Sequence, residues 1–432
     1  MIDFYKFSLS NGLRVVIHED FSTPFVATNI LYDVGARDES PDRTGLAHLF
    51  EHLMFEGTHE VSDYDEPIQR AGGENNAFTN SDTTNFYNVL PARNLETALW
   101  LESNRMFDLN LNQNSLELQK KVVIEEFYET CLNQPFGDAW HHLSALAYKI
   151  HPYQWPTIGR NPEHISQFTL GEVKDFYNKY YYPGNAILSI CGPIKASKAE
   201  QLVNKWFGTL PNSKRGHKIL PLEPEQLTKA VQSEYAKTPV DAIFMAFKVP
   251  KRIDTQFYTA DVLSDILAGG DSSRLYRQLL KEKKLFNSID AYVTGNIDPG
   301  LLVIEGRPAK GVNLEMAEIE IWKILEDLKS RPLSSREIDK VKNKISTQLS
   351  LSELSSVNKA INLSFYELLG DASIINKEYD YYNEVTPEQI QTCAVEIMKR
   401  NHVLSFNTKV LINNTYFSYW FKKISSSLVS RA

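Results

Sequence analysis

The sequence is poor in several things at once. Its 432 residues include only three cysteines, Cys131, Cys191 and Cys393, far apart and odd in number. Neither a disulfide framework nor a C-x-x-C metal site fits that spacing, so a reducing compartment is expected, with each cysteine a small buried apolar residue. A basic excess is missing too. The net charge is −8, which leaves no surplus Lys and Arg to neutralise phosphates, so nucleic acid is not an expected partner. No run approaches the ~20 apolar residues of a membrane-spanning helix, and no membrane association is expected. The opening stretch, MIDFYKFSLSNGLRVVIHED, lacks the basic patch and apolar core of a secretory leader. The cytoplasm is the expected compartment, or the periplasm if the N-terminus was trimmed.

What is present reads as two or more globular domains. Residues 5–9 and 13–19 flank Asn11-Gly12, a type I′ hairpin signal, and 26–34 reads as a buried strand. Residues 45–55 are helical in pattern with Gly57 as a stop; 74–79 and 83–90 read as strands. Helical patterns follow at 95–107, 115–131 (Asn114 as cap) and 136–150, then a capped helix at 169–180 and a strand at 186–191. Residues 211–238 are rich in Pro, Lys, Ser and Glu and read as a linker. A similar order then restarts: a strand at 242–249, helices at 255–268 and 272–284, strands at 288–293 and 301–307, and a helix-rich stretch at 312–370. The expectation is an α+β protein of two similar halves, 1–210 and 239–432, each about 200 residues and each a mainly antiparallel sheet packed with helices.

The chemistry is concentrated in His48-Leu49-Phe50-Glu51-His52. Residues at i and i+4 share a helical face, so both imidazoles can reach one cation. Glu51 stands beside that cation without being a good ligand. Metal-assisted hydrolysis asks for this arrangement, a Lewis acid with a base next to the attacking water, and the donor set suits Zn²⁺ better than Mg²⁺ or Ca²⁺. A third ligand is still required. Glu125 and Glu126, flanked by Val122, Val123, Ile124 and Phe127, are the natural candidates, because a carboxylate beside an apolar stripe is costly to bury without a partner. His59, His141, His142, His151 and His164 lack a comparable context and read as surface or structural residues.

HLFEHLMFEGT, followed by VVIEEF, resembles the pitrilysin family, which includes insulin-degrading enzyme and the mitochondrial processing peptidases. The resemblance spans most of the chain and fits a short, two-domain, bacterial-type member. It implies that Glu126 is the third ligand of one Zn²⁺ per chain and that Glu125 supports it from behind. GGENNAFT is similar to a family segment that receives substrate backbone, which implies that Asn76, Ala77 and Phe78 pair with an extended peptide by β-augmentation. On their own, Asn75-Asn76 read only as a turn. The implied activity is zinc-dependent endopeptidase cleavage of extended or unfolded peptides in an enclosed chamber, with Glu51 as base; the alternatives are a non-catalytic scaffold of the same fold and a zinc subunit inactive without a partner.

Two departures accompany the resemblance. Gln119 stands where the family often has an acidic residue, with Glu117 near but out of register. Active relatives also carry an Arg and a Tyr seven positions apart in the C-terminal domain, where this chain has Lys281 and Ser288. A dimer is therefore expected, with a homologous partner subunit supplying the Arg/Tyr pair; the alternative is a homodimer or monomer that manages without it. Within this chain, Arg274, Arg277 and Tyr292 are the nearby substitutes.

Overall fold

The protein is described from a computed structural model, over residues 1–212, 216 and 219–411. Strands β1 (Tyr5–Ser8), β2 (Arg14–Glu19), β3 (Phe25–Tyr32), β4 (Glu74–Thr79), β5 (Thr84–Pro91) and β6 (Ala186–Gly192) form one sheet in the order β1-β2-β6-β3-β5-β4. Strands β7 (Ala230–Ala236), β8 (Ala242–Lys248), β9 (Phe286–Val293), β10 (Leu301–Pro308) and β11 (Leu404–Val410) form the other, in the order β7-β11-β8-β10-β9. In each sheet a single neighbouring pair is parallel, β2 with β6 and β7 with β11, and the rest are antiparallel. The two halves share one plan, so β9 is the counterpart of β4. Both lie at a sheet edge.

Five helices matter for the site: α1 (Leu46–Leu53), α2 (Gln113–Phe127), α3 (Ala139–Ala147), α4 (Thr255–Ala268) and α5 (Ser356–Leu369). The connection from β3 to β4 carries α1, and the matching connection from β8 to β9 carries α4, which has no histidine.

The central strands are buried on both faces, which explains their unbroken apolar runs. In β3, Val26, Ile30 and Tyr32 join the large core under α1 and α2, while Ala27 and Leu31 meet Ala360, Leu363 and Tyr366 around α5. In β8, Ile243, Met245 and Phe247 face the core that contains α4, while Phe244 and Ala246 meet Ala139, Leu143 and Ala147 of α3. The halves thus exchange helices. A C-terminal helix covers the first sheet, and an N-terminal helix covers the second. Buried hydrogen bonds seal one crossing, from Asn29 Nδ2 to Ser364 Oγ (3.0 Å) and from Ser364 Oγ to Ser189 Oγ (2.8 Å).

Three local expectations are corrected. Only Gly12 of the Asn11-Gly12 pair has a positive φ (93°), and Gly12 N–H donates to Leu9 O (3.0 Å). That is a three-residue loop with a left-handed glycine rather than a two-residue type I′ turn, because the Asn11 side chain is spent on Leu13 N–H and Phe207 O. Asn112, not Asn114, caps α2 by accepting from Asn114 N–H and Ser115 N–H. Part of the 211–238 stretch lies outside the described residues, but 230–236 is β7. Its alternating half-buried and exposed residues suit a one-sided edge strand, a weak signal amid the charge.

Candidate metal centre

Helix α1 is amphipathic over two turns. Leu46, Ala47, Leu49, Phe50 and Leu53 are buried, and Phe50 stacks on Tyr181 at 4.3 Å. His48, Glu51 and His52 occupy what remains of its circumference. The start of the helix is fixed by a residue that sequence reasoning missed. Glu39, buried, accepts from Gly45 N–H (2.9 Å) and Ala47 N–H (2.8 Å), while Trp155 Nε1–H reaches the same carboxylate at 3.1 Å. Glu39 comes from across a loop, at a distance no capping pattern encodes. Gly45 has φ 92°, and a Cβ there would lie 2.9 Å from Ile158 O, so the helix begins where only glycine fits.

Glu126 of α2 completes the cluster. Its Oε2 lies 3.7 Å from His48 Nε2 and 3.6 Å from His52 Nε2, and one donor atom from each of the three residues lies within 4.8 Å of the others. These separations are long for hydrogen bonds. They approach the roughly 3.3 Å expected between ligands each about 2.0–2.1 Å from one tetrahedral ion. Two imidazoles and one carboxylate are a zinc donor set, and the geometry fits Zn²⁺. Burial depresses the His48 imidazole to about 4, which keeps it in the neutral, ligating form at neutral pH. The facing imidazoles hold the Glu126 carboxyl below its ordinary range. At its C-terminal end α2 runs into a π-turn, Tyr128–Leu132, where Thr130 Oγ1 bonds the Glu126 carbonyl (2.7 Å).

Glu125 does not join the cluster. It is exposed, whereas Glu126 is half-buried, because neighbouring helical positions point about 100° apart. Among the described residues, no hydrogen bond or ion pair of Glu125 meets the supporting role implied for it. Gln119, two turns before Glu126 on the same helix, instead donates to Glu56.

Glu51 faces the edge strand. Burial raises its carboxyl above the ordinary range, and the Thr79 side chain and backbone N–H pull the other way. Ala77 N–H donates to the Asn76 side chain (2.8 Å), while Asn80 N–H donates inward to Thr83 O (3.0 Å). In an alternating antiparallel ladder Ala77 and Thr79 therefore face the open edge, and Asn76 and Phe78 turn their backbone groups to β5. Of the three residues expected to pair with a peptide, only Ala77 offers its backbone outward. A cleft of about 350 Å³ between the halves opens at the end of β4, lined in part by Asn80, Ser81, Trp140, Tyr148 and Phe365.

The other histidines singled out from the sequence have structural surroundings. His59 meets Asp108, His141 meets Gly159 O, His151 meets Asp298, and His164 meets Thr44. His142 alone among them sits in a second carboxylate cluster. All three cysteines are free, and Cys131 and Cys191 are buried.

In the second half Lys281 is exposed, with its amine 5.2 Å over the Tyr276 ring, and Ser288 is exposed on β9. Arg274 is held by both Glu337 oxygens (2.8 and 3.0 Å), while Arg277 is exposed. Opposite Ser288 stands Arg307, whose guanidinium lies 4.2 Å over the Phe136 ring. Nothing in the local sequence marks Arg307, since only strand register places it there.

Residues 14–161 match the family described as Insulinase (Peptidase family M16), and residues 167–345 match the Peptidase M16 inactive domain. The chain is 31% identical over 345 residues to the zinc protease PqqE of Helicobacter pylori, covering 78% of this chain and 77% of that protein. It is 27% identical to a zinc protease, YmxG, of Bacillus subtilis, covering 93% and 97%. A crystal structure of a protease from Helicobacter pylori superposes with a TM-score of 0.89 at 26% identity, over 95% of this chain and all (100%) of the other. An M16 inactive-domain structure from Pseudomonas fluorescens shares the fold, with a TM-score of 0.85 at 19% identity over 95% and 98% of the two chains. Among the described residues no helix is long and apolar enough to cross a membrane.

Proposed function

The chain belongs to peptidase family M16, and on that premise we propose that it is a zinc-dependent endopeptidase that cleaves extended peptides, with one Zn²⁺ held by His48, His52 and Glu126. The observation that carries the reading is the convergence of those three donors beside Glu51, which itself touches the open edge of β4. When bound, Zn²⁺ supplies a Lewis acid that acidifies water and polarises a carbonyl.

The chain's own residues do the rest. An extended peptide adds to β4 by pairing with the outward backbone at Ala77, displacing the Asn76 side chain, and so lies along the strand that Glu51 contacts. Glu51 takes a proton from the attacking water and returns it to the departing amine. A carboxyl raised by burial is suited to both halves of that exchange. The pairing needs a free, extended backbone, so folded proteins are poor substrates, and the cleft at the end of β4 receives the part of the chain that runs past the strand. The test is hydrolysis of unstructured peptides by zinc-loaded protein, abolished by a chelator and restored by Zn²⁺. No hydrolysis under any metal loading, alone or with a homologous subunit added, leaves the scaffold reading instead.

A second component concerns assembly. Lys281 lacks the planar five-donor fork of an arginine, and the Ser288 hydroxyl is far shorter in reach than a phenol. This departure favours a dimer in which a homologous subunit contributes the missing pair to an enclosed chamber.

A further inference from the structure

Among the described residues, His142 is the one histidine outside α1 that the proposed reaction leaves in a ligand-like setting. It lies on α3, and Asp138 immediately precedes that helix. Glu234 reaches them from β7, where Gln232 and Glu234 are both half-buried on the face turned to α3, while Val231, Ser233 and Tyr235 are exposed. His142 Nε2 lies 3.2 Å from Glu234 Oε2 and 3.6 Å from Asp138 Oδ2. One donor atom from each residue lies within 4.8 Å of the others, the same clustering as at His48, His52 and Glu126.

The ring is held on its other sides. Phe406 stacks on it at 4.6 Å with planes 9° apart, and the Gln232 amide sits 2.9 Å from Nδ1. As placed, the Gln232 amide nitrogen donates to Nδ1 and the ring proton sits on Nε2; turning the amide over lets its oxygen accept from Nδ1–H, and the Nε2 lone pair then points between the two carboxylates. Support of this kind on the far nitrogen is what fixes the tautomer and orientation of ligating histidines. A lone pair and two carboxylates converge stably only around positive charge, which is either a proton on Nε2 or a metal ion.

We propose that Asp138, His142 and Glu234 form a second divalent-cation site, of mixed imidazole and carboxylate donors, that takes Zn²⁺. The three side chains are 27–38% exposed (His142 28%, Asp138 38%, Glu234 27%), which leaves water to complete the coordination. The ion clasps the start of α3 to the edge strand β7, and so ties a helix of the first half to the sheet of the second. Through the π-turn that joins α2 to α3, the same clasp anchors the segment that follows Glu126.

The experiment is zinc stoichiometry by elemental analysis after dialysis against Zn²⁺, with thermal melts on the same samples. The full chain should hold two equivalents, a His48→Ala/His52→Ala protein one, Glu234→Gln one, and the three changes together none. Zinc should raise the melting temperature of the His48→Ala/His52→Ala protein and leave that of the triple variant unchanged. If the triple variant fails to fold, Asp138→Asn in its place gives the same reading. A folded His48→Ala/His52→Ala protein that binds no zinc would overturn the proposal and leave the cluster an imidazolium between two carboxylates. One equivalent in the full chain that persists in the His48→Ala/His52→Ala protein would instead refute the α1 centre and keep this one.

Discussion

Glu51 and Thr79 face one another where the helix that carries the proposed base packs against the strand proposed to receive a peptide. The Thr79 backbone N–H, one of the outward donors of the β4 edge, is turned to the carboxylate. On the proposed reading, a peptide pairing along that edge would be brought to Glu51 by the same backbone geometry that holds it.

Glu51→Gln should leave zinc content and the melting temperature near those of the parent while turnover falls by a factor on the order of 10²–10⁴, the usual contribution of a general base. Elemental analysis and peptide hydrolysis on one preparation check this. Loss of zinc along with activity would make Glu51 a ligand.

Glu126→Gln and Glu125→Gln should differ sharply. The first removes one of three converging donors and should weaken zinc at least as much as the ~10–100-fold that losing a supporting hydrogen bond costs. The second alters an exposed carboxylate and should change zinc affinity little. Competition with a chromogenic chelator measures both, and equal retention would remove Glu126 from the ligand set.

Proline substitutions separate the two sides of β4. Ala77→Pro deletes an outward N–H and should raise the KM for extended peptides roughly 3- to 10-fold, with the melting temperature little changed. Phe78→Pro deletes a donor to β5 and should destabilise the fold by on the order of 2 kcal/mol. The reverse pattern in KM and melting would mean that the register deduced for the edge is wrong.

Lys248 gives a pH dependence. Its Nζ is buried without a hydrogen-bond partner among the described residues and lies 3.3 Å over the Tyr148 ring; burial lowers it from 10.5 to about 7. Between those two values the unfolded chain holds a proton that the folded chain has released, so stability rises with pH across that window and is lowest below it. Lys248→Met should therefore stabilise the protein at pH 7, with the gain shrinking as pH approaches 10. Melting curves across that range check it, and a gain independent of pH would show that the amine keeps its proton in the fold.

The purified chain should hydrolyse unstructured peptides slowly by itself and faster when a homologous subunit with an intact Arg/Tyr segment is added. Full activity without any partner would point to Arg307, which stands across from Ser288, as the internal substitute.

The sequence by itself determined the His48–His52 helix and its candidate ligand pair, because an i, i+4 histidine pair with an intervening glutamate is local and needs no distant residue to be read. It also determined the α+β order and the two similar halves, since strand and helix periods are properties of consecutive residues. Between Glu125 and Glu126 it offered only resemblance. The choice depends on which side of α2 faces α1, and packing of Val123 and Phe127 into the core decides that. The helix exchange was illegible for a related reason. Strands apolar on both faces announce that two layers must cover them, but not which ones, and Ala139–Ala147 and Ser356–Leu369 look alike to any amphipathic pattern. Tertiary structure alone also brought Glu39 to Gly45, Thr79 to Glu51, and Glu234 to His142. Each of those contacts joins residues whose separation along the chain carries no periodic signal, and only the meeting of one element's surface with another's makes them neighbours.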